Sequence, residues 1–177
     1  DLREEAFVNE IVSGVEAVVH FAPISLTLAS DFENLDQTLL GSYRLVHAAQ
    51  KQRIARIVLA SSMRLFATAP QQWPITADWR PRPQPHIADL CAWLGECTLR
   101  EWARSGNTPT VCIRFGAADA SVGQTIQRAF AARCNGWRIL HAAPQSPTTP
   151  VLPTPTIAPR SIQTVVVFGA GGPMAAA

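Results

Sequence analysis

The chain has 177 residues, 47% of them hydrophobic, and a formal net charge of +2, which is enough for one domain with a respectable core and short for two. No block of like charges marks an electrostatic nucleic-acid binder and no apolar run reaches the ~18 residues of a membrane span, while the acidic start DLREEAFVNE is unlike a secretory signal. The expectation is small-molecule chemistry in a soluble, cytoplasmic protein with no nucleic-acid or membrane partner.

In chain order, residues 2–13 are predicted as a short helix stopped by Gly14, followed by the compact apolar strand 16-EAVVHFA-22. Leu35, Leu39, Tyr43 and Val46 recur at helical spacing, and 56-RIVLASS-62 reads as a second buried strand ending in hydroxyls. Prolines make 69-APQQWPITADWRPRPQP-85 a loop. Ile87, Leu90, Cys91, Leu94 and Thr98 share one face of a helix running to about Arg104, and 109-PTVCIRFG-116 is a third strand. A helix around Thr125–Arg133 and the strand 137-WRILHA-142 complete the pattern. Strands separated by helices imply right-handed βαβ units, hence an α/β fold with a parallel sheet covered on both faces.

Residues 143–160, APQSPTTPVLPTPTIAPR, carry six prolines and no helical periodicity, the composition of a semi-rigid linker. After it, 164-TVVVFGAGGPMAAA-177 places glycines directly behind an apolar β-branched run. In a dinucleotide fold such glycines allow a tight turn, close backbone approach to a pyrophosphate, and helix–strand packing. Gly169, Gly172 and Ala175 stand at GxxGxxA spacing. A flexible tail is the competing reading of the same residues.

The four cysteines, Cys91, Cys97, Cys112 and Cys134, form no CxxC pair, so free, mostly buried thiols and no metal site are expected. The sequence holds a single lysine, Lys51, and a single tyrosine, Tyr43.

Several segments carry a family resemblance. The strand 18-VVHFAP-23 resembles a VxHxAA segment, and 41-GSYRLVHAAQKQRIARIVLASS-62 resembles a GTxNLLEAA…VxxSS stretch. Downstream, 94-LGECTLREWA-103 and 113-IRFG-116 resemble a GE-containing helix and an LRFG strand end. Together these make residues 1–142 similar to the extended short-chain dehydrogenase/reductases, the NAD-dependent epimerase/dehydratase group of nucleotide-sugar epimerases and uronate dehydrogenases. That resemblance implies a partial Rossmann-like doubly wound parallel sheet that begins partway into the family's fold. It also implies an NAD or NADP cofactor and a sugar or nucleotide-sugar substrate. By the same resemblance Asp1 and Leu2 match the pair at the adenine edge. Phe21, Ala22, Pro23, Ala60, Ser61 and Phe115 line the cofactor, and Ser62 falls at the catalytic hydroxyl position.

The family's chemistry uses a tyrosine as general acid/base and a lysine four residues later that lowers the phenol pKa and holds the nicotinamide ribose. Matching from Gly95 and Glu96 puts Ala88 and Ala92 at those positions, and Thr38 where an asparagine is usual. With Tyr43 and Lys51 both earlier in the chain, no Tyr-x-x-x-Lys pair exists. His86, near the missing pair, is read as a solvated helix-start residue, and His20, His47 and His141 as structural.

Three functional readings remain open. The first is a catalytically impaired nucleotide-binding domain at 1–142, joined by the linker to a second dinucleotide-binding unit beginning within 161–177. The second is an NAD(P)-dependent sugar oxidoreductase or epimerase active within a longer tandem protein. The third is a binding or scaffold module whose uncovered sheet meets a second domain or another copy of the chain. A circular permutation, in which TVVVF completes the sheet begun at residue 16, also accounts for the late glycine loop, although the family's second strand and its flanking helices would still be absent.

Overall fold

A computed structural model describes residues 1–21, 30–70, 72–105, 108–116 and 122–142, with 165–169 and 172–174 described as backbone. The elements are α1 (Glu5–Ile11), β1 (Ala17–Phe21), α2 (Asp31–Lys51), β2 (Arg56–Ser62), α3 (Ile87–Arg104), β3 (Thr110–Phe115), α4 (Val122–Ala131), β4 (Trp137–Ala142), β5 (Val165–Gly169) and β6 (Gly172–Met174), with a single 3-10 turn at Met63–Phe66 after β2. The six described strands form one sheet in the order β4-β3-β2-β1-β5-β6. All neighbours pair in parallel except β6, which runs antiparallel to β5. The α/β class and the partial doubly wound sheet expected from the sequence are present. The proline-rich stretch 143–160 lies outside the described residues.

Strand alternation divides the core into two layers. Val18, Ile57, Leu59 and Cys112 point to one face and pack with Val8 of α1, Leu45, Ala48 and Ala49 of α2, and Leu99 of α3. Val19, Val58, Ala60, Val111 and Ile113 point to the other and meet Ala129 of α4 with Ile126 and Phe130. Because both faces are covered, the central strands read as unbroken apolar runs rather than alternating ones. That is why they were legible.

The helices begin and end for identifiable reasons. Ser30 caps α2 by accepting a hydrogen bond from the Glu33 amide at 3.2 Å, and the Asn34 side-chain amide donates to the Ser30 carbonyl at 2.8 Å. At its far end Arg53 takes φ 55°, the left-handed region, letting the Ile54 amide return to the Ala49 carbonyl. On α2 the side that meets the core combines small and polar residues, Asn34, Thr38, Gly41, Ser42, Ala48 and Ala49, with Leu45 and the expected Val46. Leu39 and Tyr43, expected to mark the helix, do lie within it but are exposed. At Gly41 a Cβ would sit 3.0 Å from the Leu2 Cβ, so α2 and the N-terminal segment touch almost backbone to backbone.

The face expected for α3 needs correction. Asp89, Cys91, Ala92, Gly95, Glu96 and Leu99 are buried, whereas Leu90, Leu94 and Thr98 are only half-buried. Two carboxylates occupy core-facing positions because each has an arginine partner, so polarity hides the true stripe.

Candidate cofactor edge

In an open parallel sheet ligands gather at the carboxyl ends of the strands, here marked by Phe21, Ser62, Phe115 and Ala142. The register aligns them: Phe21 pairs with Ala60, and Ser62 with Phe115, which pairs with Ala142. Phe21 is half-buried and Phe115 buried, both against the α4 layer. Ala60 is fully buried in that layer, so its side chain is core.

Ser61 and Ser62 divide by strand alternation. Ser61 is fully buried and its hydroxyl donates to Glu96 Oε1 at 2.6 Å. Arg114 Nε donates to the same oxygen at 3.0 Å and Nη2 to Oε2 at 2.8 Å, a two-pronged pair in which both side chains are 2% exposed. The Arg114 guanidinium also lies 5.0 Å from the centre of the Phe66 ring. Ser61 thus anchors the floor beneath the edge, and its hydroxyl is spent there. Ser62 is half-buried, and its Oγ accepts from the Arg64 amide at 3.1 Å, closing the 3-10 turn and leaving its own O–H to donate. Arg64 reaches on to Asp89 at 3.1 Å, tying the turn to the start of α3.

The positions matched to the tyrosine and lysine lie on the first turns of α3. Ala88 is half-buried, and Ala92 is buried against Leu65 and Phe66. Thr38 donates to the Asn34 carbonyl at 2.8 Å within its own helix. His86 is exposed and makes no side-chain cap bond. His20, on β1, is buried with Nε2 3.1 Å from Ser42 Oγ, and Nδ1 has no partner among the described residues. Burial holds its pKa down at about 4, so it is neutral at ordinary pH. His141, on β4, is also lowered, first by burial and then by the Arg114 charge. The Cys112 thiol is pushed well above its usual value, chiefly by burial and then by the Glu96 carboxylate. No group of three or more His, Cys, Asp or Glu side chains suited to a metal occurs among the described residues.

At the N-terminus, Asp1 accepts from the Arg3 amide at 2.9 Å and from its guanidinium at 2.6 Å, while Leu2 packs on Gly41 and the α1–α3 core. Ala22, Pro23 and Ala175 lie outside the described residues. Gly169 and Gly172 are described, and they pair with each other across the β5–β6 hairpin. The residues following Gly172 form a strand where the phosphate-loop reading calls for a helix.

With this geometry in place, comparison with known proteins is decisive. A model of the NAD dependent epimerase/dehydratase family matches residues 1–127. The chain belongs to that family. Among curated relatives, a uronate dehydrogenase from Pseudomonas putida is 30% identical over 118 residues, covering 67% of this chain and 43% of that enzyme. One from Agrobacterium fabrum is 30% identical over 118 residues, with 66% and 43% covered. The epimerase/dehydratase-family chain thus spans less than half the length of the curated relatives it matches. Among solved structures, a uronate dehydrogenase mutant from Agrobacterium tumefaciens complexed with NAD superposes with a TM-score of 0.70 at 24% identity, over 81% of this chain and 59% of that one. A short-chain dehydrogenase/reductase superfamily protein from the same organism with bound NAD gives 0.60 at 26% identity, over 73% and 40%. No described helix is long and apolar enough to cross a membrane.

The sequence missed the Glu96–Arg114–Ser61 cluster and the Arg64–Asp89 tie. The available signal was a charge at a core position of a helix and another inside a buried strand.

Proposed function

We propose that this chain is a dinucleotide-binding unit of the epimerase/dehydratase family whose own sugar chemistry, oxidation or epimerisation, is impaired. The observation that carries the reading is the pair Ala88 and Ala92: one methyl group stands at each position where proton transfer and ribose anchoring are expected, with Ala92 packed against Leu65 and Phe66. The sheet edge itself fits a cofactor of this kind, because Phe21, Ser62 and Phe115 meet there and the paired glycines 169 and 172 present backbone without side chains. A bound NAD supplies a hydride acceptor. This chain supplies the apolar wall of Phe21 and Phe115 and the Ser62 hydroxyl as a donor, but no side chain at the α3 positions to take a proton.

The test is calorimetric titration with NAD(H) and NADP(H), beside an assay of dinucleotide reduction with a uronate or a nucleotide-sugar. We expect dinucleotide binding, with turnover indistinguishable from the blank. Turnover in the ordinary enzyme range of about 1–1000 per second overturns the impairment, and absence of binding overturns the cofactor role.

A further inference from the structure

Strands β1 to β4 alone would leave one side of β1 as a bare edge, with unpaired amides and carbonyls. β5 occupies that side in parallel register, with Ala17 level with Val165 and His20 level with Phe168. One row across the sheet therefore runs Phe168, His20, Leu59, Cys112, Ile139. The next residues toward the carboxyl ends of β5 and β1 are Gly169 and Phe21.

A doubly wound dinucleotide sheet has strand order 3-2-1-4-5-6, and its glycine turn follows strand 1, which flanks strand 4 at the switch point. β1, β2 and β3 take the places of strands 4, 5 and 6, and β5 takes that of strand 1. We infer that β5 is the glycine-loop strand of this sheet, arriving from the opposite end of the sequence, and that Gly169 and Gly172 present side-chain-free backbone to the pyrophosphate of a dinucleotide. By sequence alone residues 161–177 are set apart as the opening of a second unit. The register with β1 carries Gly169, and Gly172 paired with it, to the sheet end that holds Ser62 and Phe115. Gly169 faces Gly172 in a hairpin, so recognition rests on glycine amides rather than on a helix dipole. The ligand part of this inference rests on the dinucleotide-binding reading above.

Two measurements on the 177-residue chain test it. An Ala17→Cys/Val165→Cys variant is mildly oxidised and mapped by peptide mass spectrometry, and NAD(H) binding is compared for wild type, Gly172→Asp and Gly172→Asn. The expected results are a 17–165 disulfide within one chain and binding weakened about tenfold or more by Asp but not by its uncharged isostere, since only Asp sets a negative charge against phosphate. No such disulfide, or one found only between chains, overturns the strand placement. Equal binding by all three proteins overturns the phosphate role. A wild type that forms no dinucleotide complex refutes the cofactor reading and the phosphate role with it, while a 17–165 disulfide still upholds the placement of β5.

Discussion

Acidification offers a sharp test of the core, through His20. Its ring is buried in β1, bonded to Ser42 Oγ through Nε2 and without a partner at Nδ1 among the described residues, and burial lowers its pKa from 6.5 to about 4. Between those values the unfolded chain binds a proton that the folded chain refuses, so protons favour unfolding. The stability associated with neutral His20 is fully present above about pH 7.5 and is lost as pH falls through 6.5 toward 4. The shift corresponds to about 3 kcal/mol once both states are protonated, with about 2 kcal/mol already lost at pH 5. Other groups titrate in the same range, so the measurement is a difference. Urea unfolding of wild type and of His20→Gln, which keeps a hydrogen-bonding side chain but no titrating one, is followed from pH 8 to pH 4.5. The gap between the two curves should shift by about 2.5 kcal/mol toward the variant. Parallel curves across that range would refute the claim that burial holds His20 neutral.

Other substitutions probe features that no charge-free pattern reveals. Arg114→Met leaves the Glu96 carboxylate buried without its charge partner, held only by the Ser61 hydroxyl, and should cost about 3–5 kcal/mol, whereas Glu96→Leu/Arg114→Met together should cost much less; chemical denaturation distinguishes them. Arg53→Gly should stabilise by about 0.5–1 kcal/mol in the same assay, because Arg53 stands at φ 55° where glycine carries no Cβ penalty. Gly41→Ala should destabilise by about 1 kcal/mol despite better helix propensity, since its Cβ meets Leu2 at 3.0 Å. A cycle with Leu2→Gly, which removes the Leu2 Cβ, should return a coupling above about 0.5 kcal/mol, and simple additivity would show that the two do not press on each other.

How much of this was legible in the sequence depended on whether neighbours decided the outcome. The buried strands were readable because Val18 and Val19, or Val58 and Leu59, need apolar surroundings on opposite faces and announce it by composition alone. The helices were found, but not their orientation. Leu39 and Tyr43 suggest an inward stripe, yet α2 buries Thr38, Gly41 and Ser42, since close approach of Leu2 and the Ser42 bond to His20 favour small residues. Asp89 and Glu96 look solvent-facing until Arg64 and Arg114 arrive from other elements. At the site, the resemblance located Ser61 and Ser62 together, but only alternation along β2 shows that one hydroxyl serves the interior and the other the edge. Partner geometry across 18 to 35 residues is tertiary information, and a linear pattern does not contain it.

The pairing of β1 with β5 also sets the order in which the molecule is made. Contacts among β1, β2, β3 and β4 close over short stretches of chain, whereas Ala17 waits for Val165, so the last parallel seam carries the largest loop-closure entropy and forms late. Until it does, β1 is an open template. A neighbouring molecule's residues 165–169 can complete it with the same hydrogen bonds, so refolding at rising protein concentration should increase the share of strand-exchanged dimers over self-closed chains, as read by size-exclusion chromatography.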